Sequence, residues 1–496
     1  IRLALHGQKL GKRVFLVLEK LSELAPILDI AAQEGLTPNL GVRLKLVSSG
    51  SGKWEDSGGD RSKFGLTASD LLEVVAALKK AKLISSFKLV HIHLGSQLTN
   101  IRRIKEAIRE ATRIFVELRR LGCPVEYVDF GGGLGVDYDG SRNTGGFSMN
   151  YTEQEYANDI VGAVAEACRA GEISAPPTIM TESGRALSAH HCMLAVRVVE
   201  TASYDSDRPA EDAREDKPET LEKLEKILAG INRRNYFEFW HDALHLRDEA
   251  NDLFKMGSFS LLDRASVDGA FWKIARRVEG ILAREKRIPE DFEPLRTLLA
   301  DKYYCNFSVF QSLPDSWAML QEFPVVPLHR LTEFPTRRGI LQDITCDADG
   351  QLRNYIGPAG QQSTVALHPL KSGEPYYIGI FLTGAYQEIL GEYHNLFGET
   401  NVIHVALGGA GGWHYEQAID GEKIAQVLEF AQFQRHALID RIERQVRGSI
   451  KAGQLTSLEG REIREFYLRA LDGLTYLEPA AEKKTEKRAG ARAAAG

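Results

Sequence analysis

The sequence predicts an α/β domain followed by a mostly antiparallel β domain, with a helical insertion between them. Short apolar runs alternate with amphipathic segments of 12 or more residues through about the first 190 positions. This alternation is typical of parallel βα units, because parallel strands need a crossover helix. A long helical stretch follows, and β-rich segments with turn residues then continue to about residue 420.

The composition is that of a globular protein. The chain has 496 residues, of which 43% are hydrophobic and 26% charged, and its net charge is −6. This mild acidity argues against global binding to nucleic acid or to an anionic membrane, and no run of about 18 apolar residues could span a bilayer. The five cysteines are scattered and form no CxxC pair, which favours a reducing compartment, interpreted as the cytoplasm.

Five strands separated by helices are predicted in the first domain. The opening IRLALHGQKLGKRV indicates a helix that runs into the first strand, and Ser22 is expected to cap the next helix. The predicted strands are 14–18, 40–47, 87–94, 125–130 and 178–181, and the predicted helices between them are 22–34, 67–82, 101–121 and 153–170. This order suits either a (β/α)₈ barrel or a doubly wound sheet.

The rest of the chain divides by composition and periodicity. A strand is expected at 190–201, and β character is expected over 301–326, 338–345 and 376–383. The predicted domains are 1–189 for the α/β domain, 190–204 with 301–420 for the β domain, 205–300 for a helical insertion that opens with a charged linker, 421–479 for closing helices and 480–496 for a disordered tail.

The loops after the predicted strands contain the residues suited to chemistry. Strand four ends in Gly131-Gly132-Gly133, a turn whose free backbone N–H groups suit a phosphate, although a plain tight turn explains it too. Strand five ends in Glu182, followed by Gly184 and Arg185. An arginine there can clamp phosphate oxygens and the carboxylate can hold a protonated ring nitrogen, and a local ion pair is the alternative.

Strand three ends in the run HIHLGS. Its two histidines, His91 and His93, are two residues apart and share one face. The imidazole of His93 could stack on a flat cofactor, whereas a buried, hydrogen-bonded histidine or a metal pair would be the other interpretations. The ends of parallel strands meet at one edge of the sheet. We therefore expect ring, phosphate and cation contacts to converge there.

Several runs resemble one enzyme family. HLGS, DFGGGLGVDY, TESGRA, DITCDADG and GAYQEILGEYHNLFG are similar to the alanine-racemase-type, pyridoxal-phosphate-dependent decarboxylases of fold type III. SGSGKWEDSGGDRSKFGL, NLFG and the helical insertion resemble the arginine decarboxylase branch of bacteria and plants. The resemblance implies a (β/α)₈ TIM-type barrel followed by the β domain.

The resemblance also implies site residues. His93 would stack on the ring and take part in catalysis, and Cys346 would return a proton to Cα in the active site of a partner subunit. The implied cofactor-binding set is His93, Ser96, Gly131, Gly132, Gly133, Glu182, Gly184, Arg185, Tyr386 and Arg43. The implied substrate-binding set is Asp347, Asp129, Leu134, Gly135, Val136, Asp137 and Tyr138.

The implied activity is the decarboxylation of L-arginine to agmatine and CO₂ in polyamine biosynthesis. Pyridoxal 5′-phosphate is the implied cofactor, Mg²⁺ is expected without identified ligands, and a homodimer or homotetramer would share active sites. Phe307 stands where ornithine-type relatives have an aspartate, which argues against a small diamine substrate. The alternatives are decarboxylation of diaminopimelate, ornithine or carboxynorspermidine, or a catalytically dead regulatory homologue.

One family feature does not appear in the printed sequence. The family binds its cofactor through a lysine in a run like YPIKVN, whereas Lys20 and Lys45 stand in surroundings that match later strands. About five of eight barrel strands are visible. We therefore expect a partial barrel whose N-terminal strands and lysine are missing, with an open sheet edge, weak cofactor binding and no turnover by this chain alone.

Overall fold

The computed structural model describes residues 1–46, 62–204, 217–283, 289–357, 360–408 and 412–477. The first domain contains five strands, β1 (Leu16–Leu18), β2 (Leu40–Arg43), β3 (Phe87–His91), β4 (Tyr127–Asp129) and β5 (Thr178–Met180). They pair in parallel in the order β1-β2-β3-β4-β5. The helices of this domain are α1 (Arg2–Lys9), α2 (Leu24–Gln33), α3 (Ala68–Lys80), α4 (Ile101–Arg120), α5 (Glu153–Ala170) and α6 (Gly184–Ser188).

Helix α4 shows why these segments are helical. The side chain of Asn100 accepts a hydrogen bond from the N–H of Arg102 and so satisfies one of the free donors at the helix start. Its buried residues recur at helical spacing, as in Ile104, Ala107, Ile108, Ala111 and Phe115. This apolar stripe packs into the core of the parallel sheet, which buries the strands on that side.

The second domain is a six-stranded, mostly antiparallel sheet. Its strands are β6 (Met193–Ala202), β7 (Asp301–Cys305), β8 (Val325–Pro327), β9 (Arg337–Gln342), β12 (Val365–Leu367) and β13 (Tyr377–Phe381), beside the hairpins β10 (Tyr355–Gly357) with β11 (Gly360–Gln362) and β14 (Val402–Leu407) with β15 (Trp413–Ile419). The order is β12-β9-β7-β6-β13-β8, and only β7 and β9 pair in parallel. The predicted fold class is confirmed.

Helices complete the chain. The insertion contains α7 (Glu219–Gly230), α8 (Tyr236–Lys255), α9 (Leu261–Leu282) and α10 (Glu293–Leu298), which share a core of their own. Short helices α11 (Val309–Ser312), α12 (Pro314–Ala318) and α13 (Gln387–Leu390) lie in the β domain, and α14 (Ile424–Phe430), α15 (Arg435–Lys451) and α16 (Ser457–Leu471) follow it. Among the described residues, no helix has the length and apolarity needed to cross a membrane.

Two local predictions were wrong. Ser22 does not cap a helix; it lies inside a short 3₁₀ turn, Leu21–Glu23, that starts after Lys20 and leads into α2. The segment 301–326 is not continuous β structure, because Ser308 caps α11 through the N–H of Gln311 and Pro314 occupies the first turn of α12. The predicted tail 480–496 and most of the linker lie outside the described residues.

The two sheets meet around the loop that follows β4. Val136, Tyr138 and Phe147 of this loop pack into the core of the β domain. From the other side, the N–H of Gly384 donates to the carbonyl of Ala189 at 3.2 Å, and a Cβ on Gly384 would overlap the carbonyl oxygen of Ser188. The β domain is therefore closely joined to the carboxyl end of the parallel sheet.

Candidate active site

Polar side chains follow every strand of the parallel sheet at its carboxyl end. Glu19 follows β1, Arg43 ends β2, His91 ends β3, Asp129 ends β4 and Glu182 follows β5. We call this edge, with the loops that follow it, the strand-end rim. Because the strands are parallel, the rim gathers groups that are up to 163 residues apart (182 − 19) in the sequence.

The glycine run forms a tight turn on the rim. The N–H of Gly131 donates to Asp129 Oδ1 at 2.9 Å, and the N–H of Glu182 donates to the carbonyl of Gly131 at 2.8 Å. Gly131 has a φ of +64°, and a Cβ there would overlap the carbonyl oxygen of Ile92. Only glycine fits this position without strain, so the run holds the ends of β3, β4 and β5 together.

The ring of His93 lies beside this turn. A Cβ added to Gly132 would be 3.4 Å from His93 Cε1, so the backbone approaches the imidazole closely. Burial and the positive charge of Arg43 lower the pKa of His93. A neutral, half-buried imidazole is suited to packing its flat face against an aromatic ring.

Two carboxyl groups and an imidazole form a cluster at the centre of the rim. His91 Nδ1 lies 3.0 Å from Asp129 Oδ2 and 3.9 Å from Glu182 Oε1. The side chain of Glu182 is 56% exposed, and its partial burial and the neighbouring Asp129 raise its pKa. Burial acts in the same direction on Asp129, but hydrogen bonds from His91 and the N–H of Gly131 outweigh it and lower the pKa of Asp129. Asp129 is therefore the ionised member of the pair, and Glu182 holds its proton to higher pH.

Arg185 joins three loops at the other side of the rim. Its Nε and Nη2 donate to Ser96 Oγ at 3.2 and 3.1 Å, and its Nη1 donates to Tyr138 Oη at 3.1 Å. Its guanidinium lies 4.7 Å from the ring centroid of Tyr386, in the β domain. The structure thus brings three predicted residues, Ser96, Tyr138 and Tyr386, together on the buried cation of Arg185, next to exposed Gly184.

Backbone strain marks two places near Arg185. Ser183, between β5 and α6, has a left-handed conformation with φ +42°. Tyr386, just before α13, has φ +69°. Left-handed backbone is costly for residues with a side chain and persists where the surroundings impose it, often at functional sites.

The loop predicted to bind substrate is clamped to the loop after β3. Gln97 donates to the carbonyl of Val136 at 2.7 Å and accepts from its N–H at 2.9 Å. Tyr151 Oη accepts from the N–H of Gly135 at 3.1 Å and donates to the carbonyl of Leu98 at 2.7 Å. Leu134 pairs with Leu98, and Asp137 accepts from Ser148 Oγ at 2.7 Å. These contacts fix the loop; its contact with substrate stays a prediction.

Arg43 is held at the rim by a partner the sequence did not reveal. Its Nη1 donates to Glu19 Oε1 at 2.8 Å, and its guanidinium lies 5.3 Å from the ring centroid of Phe64. The carboxylate of Glu19 therefore pairs with Arg43 and fixes the direction of its side chain. Glu19, Gln97 and Tyr151 are the residues that sequence reasoning missed, because glutamate, glutamine and tyrosine outside a motif give no local signal.

Cys346 and Asp347 lie in a different part of the molecule, the turn that follows β9 in the β domain. The N–H of Cys346 donates to Asn395 Oδ1 at 3.1 Å, and Asp347 Oδ2 lies 3.6 Å from His394 Nε2. Both side chains are exposed. Phe307, by contrast, is fully buried in the β-domain core, so it offers no group to a substrate.

Comparison with known proteins places this chain in a family. The family model for the pyridoxal binding domain of pyridoxal-dependent decarboxylases matches residues 1–189. The models for the arginine decarboxylase helical bundle domain and C-terminal helical extension match residues 214–296 and 424–477. The biosynthetic arginine decarboxylase of Bacteroides thetaiotaomicron is 48% identical over 479 residues, which cover 96% of this chain and 76% of that protein. The chain belongs to the biosynthetic arginine decarboxylase family.

Further relatives agree with this assignment. The biosynthetic arginine decarboxylase of Deinococcus radiodurans is 44% identical over 483 residues, covering 96% of this chain and 72% of that protein. The crystal structure of the biosynthetic arginine decarboxylase from Campylobacter jejuni matches with a TM-score of 0.83 at 31% identity, covering 97% of this chain and 76% of that chain. Diaminopimelate decarboxylase from Helicobacter pylori, complexed with L-lysine, has a TM-score of 0.52 at 15% identity over 84% of this chain and 73% of that chain, and so shares the fold alone.

These comparisons confirm the resemblance drawn from the sequence. They give no support to the expectation that barrel strands and a lysine are missing at the N-terminus, which stays a prediction.

The strand-end rim fits the cofactor of the arginine decarboxylase family. Pyridoxal phosphate has a flat ring, a basic ring nitrogen and a dianionic phosphate. Arg185 and Ser96 offer a buried cation and a hydroxyl at 3.1 Å from each other, and Gly132 and Gly133 bring backbone N–H groups with no side chain of their own. Glu182 offers a carboxyl group and His93 a flat neutral ring. The donor set is therefore complementary to each part of the cofactor.

Proposed function

We propose that this protein decarboxylates L-arginine to agmatine and CO₂, with pyridoxal 5′-phosphate bound at the strand-end rim, and that the agmatine supplies polyamine synthesis. The observation that carries the proposal is the convergence of Arg185, Ser96, His93 and Glu182 on one edge of the parallel sheet. The membership in the biosynthetic arginine decarboxylase family supports the choice of arginine. Phe307, which stands where ornithine-type relatives have an aspartate, offers no carboxylate to a small diamine substrate, and this supports its exclusion.

The residues divide the work of binding by their chemistry. Arg185, Ser96 and the backbone of the glycine turn hold the phosphate, with Tyr386 packed over Arg185. Glu182 faces the ring nitrogen, and His93 packs on the ring. Bound pyridoxal phosphate supplies an electron sink for the pair left when CO₂ departs. The role of the chain is to fix the ring, so that the bond between Cα and the carboxylate would lie perpendicular to the ring plane.

Two residues of the β domain complete the proposal. Cys346 returns a proton to Cα, and Asp347 binds the distal cation of the substrate, both in the site of a partner subunit. Their exposure and their hold on the segment His394–Leu396 support this role, because a group that serves a neighbouring subunit must lie at the surface. The proposed assembly is a homodimer or homotetramer.

One cluster of possible metal ligands can be compared with the expected Mg²⁺. Among the described residues, His91, Asp129 and Glu182 have ligand atoms within 4.8 Å of one another. This group does not fit Mg²⁺, which prefers six oxygen ligands with several waters, because the group offers an imidazole and a carboxylate that is already hydrogen-bonded to that imidazole.

The cytoplasm is the proposed location, and the five free cysteines support it.

The proposal is tested by the release of CO₂ from a panel of amino acids. The protein is expressed from its complete reading frame and assayed with L-arginine, L-ornithine, meso-diaminopimelate and carboxynorspermidine, each labelled in the carboxyl group. We expect kcat/KM for L-arginine to exceed the others by at least about a hundredfold, because a site that hydrogen-bonds a substrate group strongly rejects an analogue that lacks it. A preference for another substrate contradicts the assignment, and no CO₂ from any of them favours the regulatory alternative.

A further inference from the structure

Asp129, which lies beside Glu182 on the strand-end rim, has no role in the proposed function beyond the predicted substrate contact. Its surroundings are nevertheless unusual. Asp129 is only 6% exposed. Both of its carboxylate oxygens are engaged, Oδ2 with His91 Nδ1 at 3.0 Å and Oδ1 with the N–H of Gly131 at 2.9 Å. A buried carboxylate with this support keeps its negative charge instead of taking up a proton.

Asp129 also acts on its neighbour. Burial and the charge of Asp129 raise the pKa of Glu182, and a hydrogen bond between the two carboxyl groups adds to that effect. His91 and Arg43 act on the pKa of Glu182 in the opposite direction. On the side of α5, burial and the charge of Asp129 raise the pKa of Tyr156 to about 12, against an opposing effect of Ser183. Tyr156 therefore stays neutral and leaves Asp129 as the buried negative charge behind Glu182.

We propose that Asp129, held by His91, is a positioning residue that acts through Glu182 to keep a proton on the ring nitrogen of the bound pyridine cofactor. A negative charge next to a carboxyl group makes a proton more stable on a base that is hydrogen-bonded to that carboxyl group. In the bound cofactor, this base is the ring nitrogen. Glu182 touches the nitrogen, whereas Asp129 supplies the charge and His91 fixes its direction. This inference rests on the proposed function, since it assumes the cofactor at the rim.

The probe for the test is pyridoxamine 5′-phosphate labelled with ¹⁵N in the ring. It has the ring nitrogen and phosphate of the cofactor but no aldehyde, so its binding needs no lysine. The ¹⁵N shift reports whether the ring nitrogen is protonated, and titration from pH 5.5 to 9 gives its pKa in the complex. Affinity is measured by fluorescence on the same samples.

Asp129→Asn removes the charge and keeps the shape of the side chain. We expect the ring-nitrogen pKa in the complex to fall by about one unit or more, with about a tenfold loss of affinity at pH 8, because one pKa unit corresponds to a tenfold change in proton binding. The matched control is Asp139→Asn in the same loop, where the carboxylate accepts from the N–H of Ser141. The control is expected to leave both quantities unchanged.

A second pair of variants separates the electrostatic effect from misfolding. In a Glu182→Gln background, Asp129→Asn should have little further effect on the ring-nitrogen pKa, because its path runs through Glu182. His91→Gln, whose amide still donates to Asp129, should retain most of the wild-type pKa. An unchanged pKa in Asp129→Asn, or effects of Asp129 and Glu182 that simply add, would overturn the inference. A wild-type protein that does not bind the probe overturns the proposed cofactor site and this inference with it.

Discussion

The guanidinium of Arg185 lies between two domains, with Ser96 Oγ 3.1 Å away on the parallel-sheet side and the ring of Tyr386 4.7 Å away on the β-domain side. A cation packed on an aromatic face and hydrogen-bonded at its edge has little freedom to move. Both domains therefore help to hold this one cation in place. The proposed phosphate site depends on these contacts of Arg185 with both domains.

Replacing Arg185 with lysine tests the phosphate site. Arg185→Lys keeps the charge but cannot donate to Ser96 and Tyr138 at once, so we expect the affinity for pyridoxamine 5′-phosphate to fall by roughly 10- to 100-fold, the loss of one or two charge-assisted hydrogen bonds. Fluorescence titration measures the affinity. Arg169→Lys, in the exposed last turn of α5, is the control, and equal affinities of the two variants would remove Arg185 from the site.

The glycine turn is tested through stability. Gly131→Ala places a Cβ against the carbonyl oxygen of Ile92 in a left-handed backbone, whereas Gly140→Ala, at φ +72°, meets nothing within 4 Å. We expect Gly140→Ala to lower the free energy of unfolding by about 1–2 kcal/mol, from backbone strain alone. Gly131→Ala should lower it by more than about 3 kcal/mol. Urea unfolding followed by circular dichroism gives both values, and a similar cost at both sites would contradict the close approach.

The raised pKa of Glu182 predicts a dependence of stability on pH. A carboxyl group whose pKa is higher in the folded than in the unfolded protein favours folding at low pH, and that contribution is lost as the pH rises through the folded value. Glu182→Gln removes the cost of the charge. We expect it to raise the melting temperature of the ligand-free protein at pH 8 and to change it little at pH 4. A variant less stable than wild type at pH 8 would show that the carboxylate is stabilising.

The proposed proton donor is tested by kinetics. Cys346→Ala in the protein from the complete reading frame should lower kcat for L-arginine by about 10²- to 10⁴-fold, the usual contribution of a general acid, with little change in KM. Cys192→Ala removes the other exposed cysteine and should retain full activity. Steady-state release of CO₂ gives kcat and KM for both variants. A Cys346→Ala enzyme with wild-type kcat would show that another group donates the proton.

The sequence predicted the parallel order of the first domain and the edge at which its polar residues meet. That prediction worked because the strand, loop and helix periods are local, and because Glu182, Arg185 and the glycine run each follow a strand. The clamp of Gln97 on Val136 could not be predicted in this way, since it joins residues 39 apart through backbone atoms. The pairing of His91 with Asp129 also depends on the register of β3 and β4, which only the folded sheet sets.

The short helices α11 and α12 lie in a segment where the sequence pattern predicted the wrong structure. The apolar residues of 301–326 are typical of strands, yet the Ser308 cap of α11 and Pro314 in the first turn of α12 favour helix. Local capping here outweighs the β propensity of the segment, because buried N–H groups must find acceptors.

The central claim is that one pyridine phosphate is bound across the strand-end rim, and a crystal structure of the protein with pyridoxamine 5′-phosphate tests it most directly. The account predicts the phosphate between Arg185, Ser96 and the turn at Gly131, the ring on His93, and the ring nitrogen beside Glu182. A ligand bound elsewhere, or one whose nitrogen points away from Glu182 and toward solvent, would contradict it.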